Sequence, residues 1–383
     1  MMSTRWRYLS GMVGLSLPCA VLAQSLPELK LTRELRIDAA EHDLTPITFL
    51  AVAPNGTIAV QQHQDGTVRF FDARGASLGT FGRKGQGPGE FTNAGRLAWT
   101  GDTLIVSDIG TRRFTLISAD RKLVKTVPWA ASVAPPGGAS AGVAPARVSQ
   151  ARFPLADGSQ LVISNFSEES PMPAWLGGGK PGQLYLRLDA SGALGHVLGW
   201  MPSTMACSIS VSTNGGFELS RIQFCPLPMD DVAPDGGRVV LTYVEEGKTQ
   251  EYRVAAIRSS GEKIFDRTIS YRPQPIPKNV RDSIVSAASR SPMPSRRATA
   301  ERIPGFYPPL LRILGGRDAT TWLELFTASG DRTWHVLDAQ GNVVGSLMVP
   351  RNLQVMAASR DALWGTETDD DGLQHIVRYR VSR

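Results

Sequence analysis

The sequence predicts an all-β fold, a six-bladed β-propeller of four-stranded blades closed by an N-terminal strand, and three observations predict it. Short runs alternating apolar and polar residues recur along the chain, each ended by a turn signal such as Pro54-Asn55-Gly56, Asp157-Gly158 or Pro234-Asp235-Gly236. That is the pattern of strands joined by hairpins. The runs group in fours and the groups repeat about six times, as in a radial array of small sheets. The last group is one strand short, and an unpartnered strand near the start is available to complete it.

The first 23 residues read as an export leader. Arg5 and Arg7 form the basic start, Tyr8 to Val21 carries no charge, and Val21-Leu22-Ala23 suits cleavage before Gln24. The apolar run is too short and too broken by Gly, Ser and Pro to span a bilayer, and no other stretch approaches it. The mature chain, residues 24–383, is then exported, periplasmic or extracellular, with no transmembrane segment. Cleavage removes two cations and no acid, so the formal charge falls from +6 to +4. The remaining Lys and Arg are scattered, which argues against nucleic acid as a partner. Of three cysteines only Cys207 and Cys225 survive cleavage. An even pair in an exported chain predicts a disulfide, two buried thiols being the alternative, and no ligand spacing suggests zinc.

In chain order, Glu28 to Ile37 (ELKLTRELRI) is the lone strand assigned to the last blade. Blade one (ITFLAVA, TIAVQQ, TVRFFDA, ASLGTF) runs from about Ile47 to Phe81. The connector FGRKGQGPGEF, Phe81 to Phe91, is too rich in Gly and Pro for helix or ladder and marks a fixed junction. Blade two (GRLAW, TLIVSD, RFTLIS, KLVKTV) leads into a low-complexity surface excursion, Pro135 to Ala144. Blade three (ARFPLA, QLVISN, QLYLRLDA, ALGHVLGW) contains a long insertion from Phe166 to Gly182. Met201 to Phe224, with Cys207 inside and Cys225 just after, precedes blade four (MDDVA, VVLTYVEE, YRVAAIRS, KIFDRTI). An insertion at about 273–304 follows: Asn279 and Asp282 signal a helix start, and Val280, Ile284 and Ala288 share one helical face. One short amphipathic helix and then a basic, Pro-containing loop are expected there. Blade five is LLRIL, TTWLELF, TWHVLDA, VVGSLMV, and blade six is LQVMAA, ALWGTET, HIVRYRV plus the N-terminal strand.

Two stretches carry a family resemblance. VSDIGTRRFTLIS, Val106 to Ser118, resembles the NHL repeat, and FGRKGQGPGEF resembles the connector before the next such unit. The mature chain is similar to exported six-bladed propellers related to NHL-repeat and TolB-like proteins, although Thr111 stands where the repeat usually has Asn. The resemblance implies the fold more than the function, because such propellers include binding modules, sensors, hydrolases and lyases.

Candidate residues follow from loop position and chemistry. Arg83 and Lys84 on the connector, and Arg112 beside Asp108, are candidate ligand or partner contacts; bracing of their own loops is the alternative. Trp175, a large aromatic among Gly and Pro, either anchors a partner or folds back over the outer strands. Some six-bladed propellers are calcium-dependent lactonases or esterases, and by that resemblance Glu90, Asn93, Asp108 and Asn165 are the candidate ligands, with calcium as the one cofactor contemplated. His63, on a loop expected at the channel, is the candidate acid or base. Asp369-Asp370-Asp371-Gly372 lacks the spacing of a calcium loop and reads as a solvated turn. The leading functional reading is an exported binding or scaffold module for a protein, a peptide or a small ligand. The alternatives are a calcium-dependent hydrolase with its site at the mouth of the channel, and a component of an envelope assembly.

Overall fold

The computed structural model describes residues 26–135, 144–214 and 216–383, so the leader and residues 136–143 of the low-complexity excursion lie outside it. Strands form where alternation and turn chemistry place them. After β1 (Glu28–Ile37), β2 (Ile47–Val52), β3 (Ile58–Gln62), β4 (Thr67–Phe71) and β5 (Ser77–Phe81) make the first sheet. The second holds β6 (Ala94–Thr100), β7 (Thr103–Asp108), β8 (Arg113–Ile117) and β9 (Leu123–Pro128). A two-residue pair, β10 (Ser132–Val133) with β11 (Ala146–Arg147), precedes the third sheet. That sheet holds β12 (Gln150–Pro154), β13 (Gln160–Phe166), β14 (Gly182–Leu188) and β15 (Leu194–Met201). The hairpin β16 (Ser208–Thr213) and β17 (Gly216–Arg221) stands apart from the fourth sheet, β18 (Met229–Val232), β19 (Arg238–Tyr243), β20 (Glu251–Arg258) and β21 (Lys263–Ser270).

The remaining strands form one eight-stranded sheet. One half is β22 (Leu310–Gly315), β23 (Thr321–Leu325), β24 (Arg332–Leu337) and β25 (Val343–Val349). The other is β26 (Leu353–Ser359), β27 (Ala362–Thr368), β28 (Gln374–Ser382) and β1. The expected use of the N-terminal strand is observed: β1 runs antiparallel to β28 from Lys30↔Ser382 to Ile37↔Ile376. It also touches β25 in parallel at Glu28↔Ser346 and Leu29↔Leu347, which joins the two halves. At this junction His375 is buried; its Nδ1 accepts the Ala39 N–H (3.0 Å), so its proton sits on Nε2 and is donated to Asp369 (2.8 Å). The triple-acid turn is thus committed to closure. Asp369 also accepts the N–H groups of Asp371 and Leu373.

The arrangement is all-β and propeller-like. Aromatic residues pack between neighbouring sheets, Phe70 against Trp99 (6.3 Å between centroids) and Trp200 against Tyr243 (5.9 Å). A turn motif recurs in sequence as Asp72-Ala73-Arg74-Gly75, Asp189-Ala190-Ser191-Gly192 and Asp338-Ala339-Gln340-Gly341. In each the Asp accepts two N–H groups of its own turn and the Gly takes a positive φ, 92°, 85° and 81°.

An antiparallel meander alternates its turns between two ends. Turns from first to second and from third to fourth strand therefore share one face, and all are tight. The other face receives the remaining turns and the links between sheets, including 82–93, the described parts of 129–149 (129–135 and 144–149) and of 202–228, and 271–309, together with the β13–β14 loop, 167–181. One face is trim; the other carries the variable material.

The insertion before β22 differs from the expectation. It contains two helices, α1 (Lys278–Ser289) and α2 (Pro294–Ala300). α1 starts directly after Pro277 with no side-chain cap, so Asn279 is inside the helix. The stretch expected to be a loop is α2, whose Pro294 occupies the first turn, where a missing N–H costs nothing. The predicted apolar face is the packed one: Val280 and Ile284 join Ile276, Ile303, Tyr307, Phe224 and Phe326, and Ala288 is buried. Among the described residues no helix is long and apolar enough to cross a membrane.

Candidate functional site

The connector is held by its own residues. Glu90 accepts from Arg83 (2.8 Å) and from the Gly87 N–H (2.8 Å), while Arg113 donates to the carbonyls of Gln86, Gly87 and Glu90. Asp108 is fully buried and accepts the N–H groups of Thr92, Asn93, Gly110 and Thr111. Burial alone raises its pKa, but these N–H groups outweigh it and hold the carboxyl below the usual range. The sign follows: this stabilisation is complete above an ordinary Asp pKa of about 3.9 and is lost as pH falls through the lower folded value. Asp108→Ala is expected to cost about 2–4 kcal/mol by orphaning these donors, measured by urea unfolding at neutral pH. The difference from the parent should shrink in acid. A variant as stable as the parent would mean that the turn carries itself.

These bonds bear on the calcium candidates. Glu90 and Asp108 already have partners, Asn93 contributes its backbone to Asp108, and the Asn165 side chain is exposed in the third sheet. Among the described residues no three His, Cys, Asp or Glu side chains come close enough together to hold a metal ion. Carboxylate oxygens already accepting from loop N–H and guanidinium groups have less to offer a cation. Of the contact candidates, Lys84 is exposed, Arg83 is engaged with Glu90, and Arg112 lies over Trp129 (5.5 Å) with a left-handed φ of 51°. His63 is exposed, its Nδ1 3.4 Å from Gln61. Trp175 sits on a short turn, half-buried against the core of the third sheet beside buried Leu176. It folds back.

Sequence reading missed the polar axis. The inner strands β2, β6, β12, β22 and β26 break register, passing over Thr48–Phe49, Gly95–Arg96, Arg152, Leu311 and Met356. A bulge re-aims the residue it frees. Around a cavity of about 230 Å³ stand Phe49, Arg96, Asp230, Asp231, Arg312, Arg317 and Met356. Arg96 reaches from the second sheet to Asp231 in the fourth, whose other oxygen accepts the Gly315 N–H (2.6 Å). Arg152 pairs with Asp230, and Arg317 donates to the Ala53 carbonyl (2.7 Å). Burial, with Arg152 adding to it, pushes the Arg96 pKa down. Burial likewise acts on Arg152, but Asp230 overrides it and the net shift is upward. The available signal was one charged residue inside each of the apolar strands AGRLAWT, QARFP and LLRILG, with a pair in MDDV.

The second missed feature lies on the long-loop face. Cys207 and Cys225 are disulfide-bonded, Cα atoms 5.6 Å apart, and tether the β16–β17 hairpin. Its register runs from Ser208↔Arg221 to Thr213↔Gly216. Glu218 and Ser220 face α2, where Glu218 accepts from the Ser295 hydroxyl (3.1 Å) and Ser220 bonds it (2.7 Å). Phe217 and Leu219, on the opposite side of the strand, are 75% and 48% exposed. The polarity is inverted: apolar outward, polar inward. Clefts of about 960 and 1030 Å³ flank the tether; Ile222, Phe224, Ile284 and Leu311 line one, and Met172, Leu176, Trp200 and Tyr243 the other.

No protein-family model matches this sequence, and neither does any curated protein. Solved structures resemble it at low identity. A protein described as exported from Bacteroides fragilis is 11% identical over 92% of this chain and 95% of its own, TM-score 0.48. A member of a family of unknown function from Bacteroides vulgatus is 11% identical over 94% of this chain and 100% of its own, TM-score 0.49. A gluconolactonase from Xanthomonas campestris is 13% identical over 92% and 90%, TM-score 0.40. At this distance they say nothing of what this chain binds.

Proposed function

We propose that this chain is an exported six-bladed propeller acting as a binding module for an extended segment of a protein or peptide. The six-bladed reading is supported by counting the eight-stranded sheet as two units that β1 fastens together. The reading is carried by the inverted hairpin: a two-stranded sheet keeps free edges, and Phe217 and Leu219 stand outward at alternate positions. An incoming strand makes main-chain hydrogen bonds to such an edge while alternate side chains give selectivity. The tether and α2 hold the hairpin in place, so little ordering accompanies binding. The expected test is a peptide-array screen with affinities measured by calorimetry. Phe217→Ser with Leu219→Ser should weaken selected peptides about tenfold or more while leaving the melting transition in place. Equal binding by the double variant, or protection from exchange on the tight-turn face, would reject this site.

A further inference from the structure

The axial cavity is independent of the hairpin and has its own chemistry. Three guanidinium groups, Arg96, Arg312 and Arg317, share it with two carboxylates, Asp230 and Asp231. Asp231 is committed to Arg96 and the Gly315 N–H, while Asp230 gives one oxygen to Arg152 and keeps the other buried without a partner. Arg317 is committed to the Ala53 carbonyl. Arg312 differs. Its guanidinium lies over the Trp334 ring at 5.9 Å, and among the described residues it has no hydrogen-bond or ion-pair partner. Its register neighbour Glu324 gives one oxygen to Arg332 at 2.7 Å and keeps the other buried without a hydrogen bond. A guanidinium stacked through its face keeps its edge N–H groups free, and that fork matches a carboxylate. Three guanidinium groups against two carboxylates leave the lining one charge positive, which favours an anion.

The other walls are apolar. Phe49 and Met356 are residues passed over at bulges in β2 and β26, and Phe49 remains 36% exposed although it belongs to a first strand. A cavity near 150 Å³ accepts a benzene-sized molecule, so about 230 Å³ suits a body of a few carbons with a charged head. We propose that the axial cavity binds a small monocarboxylate, its carboxylate on Arg312 and its hydrocarbon against Phe49 and Met356.

The test uses the full mature chain with acetate, butyrate and hexanoate, with butylamine and inorganic phosphate as controls. Binding is read by calorimetry and by the fluorescence of a Phe49→Trp variant. Butyrate should bind more tightly than acetate, butylamine should not bind, and Arg312→Met should lose about tenfold or more in butyrate affinity. Arg312→Lys should lose less. If Arg312→Met does not fold, the chain-length series on Phe49→Trp still decides. Unchanged fluorescence and heat with every carboxylate, an equal response to phosphate and butyrate, or full butyrate affinity in Arg312→Met would each overturn the assignment.

Discussion

A chain lacking residues 26–37 is expected to lose about 5 kcal/mol or more, a large part of the margin of an ordinary domain. Ile37 is 3% exposed, Leu29 and Leu31 pack partly buried against the last two units, and Leu35 packs between the last unit and the first. Deleting them removes this apolar contact and the ladder to β28 together. It also bares the edges of β28 and β25, two sheet edges that then seek other partners. Calorimetry should show a broadened transition at much lower temperature, and light scattering should show association at concentrations where the parent stays dispersed. The two effects separate with Leu31→Pro, which weakens the ladder without shortening the chain. Were the truncated chain to melt at the parental temperature, β1 would be an ornament on a ring that closes without it.

Strand positions were legible because each hairpin repeats the same local chemistry. Asp72-Ala73-Arg74-Gly75 and its two relatives specify their turns without help from the rest of the chain. Closure was legible by subtraction, since the last unit has three strands and ELKLTRELRI had no neighbour. The β16–β17 hairpin was not read, although Asn214-Gly215 is a strong two-residue hairpin signal. Its strands carry serines and exposed apolar residues, so no buried face announced itself. α2 was hidden by Pro292 and Pro294, which read as loop residues until one of them is seen to begin a helix. The axis was the hardest part. Arg96, Arg152, Asp230 and Arg312 come from four distant strands, and three of those strands break register where the polar residue sits or just before it. Local periodicity cannot report which way a bulged residue points. Within the connector Arg83 and Glu90 hold each other, and Lys84 stands exposed.

The axial ion pair makes a second large effect measurable. Arg96 and Asp231 belong to the second and fourth sheets, so their contact joins two sheets that are not consecutive in the chain. Asp231 is 6% exposed and also takes the Gly315 N–H from β22, so one carboxylate ties three units around the axis. Asp231→Ala should cost about 2–3 kcal/mol, because it orphans the Gly315 N–H in the interior and leaves the Arg96 guanidinium, 32% exposed, without its partner. Replacing both partners should cost far less. Arg96→Met with Asp231→Leu leaves no buried charge without a partner, and apolar replacement of a buried pair is often near neutral. Urea unfolding of the two singles and the double, at unchanged m-value, gives the coupling directly. Strong non-additivity is expected. If Asp231→Ala costs less than about 1 kcal/mol, the pair behaves as one open to water, and the axis is held by strand packing alone.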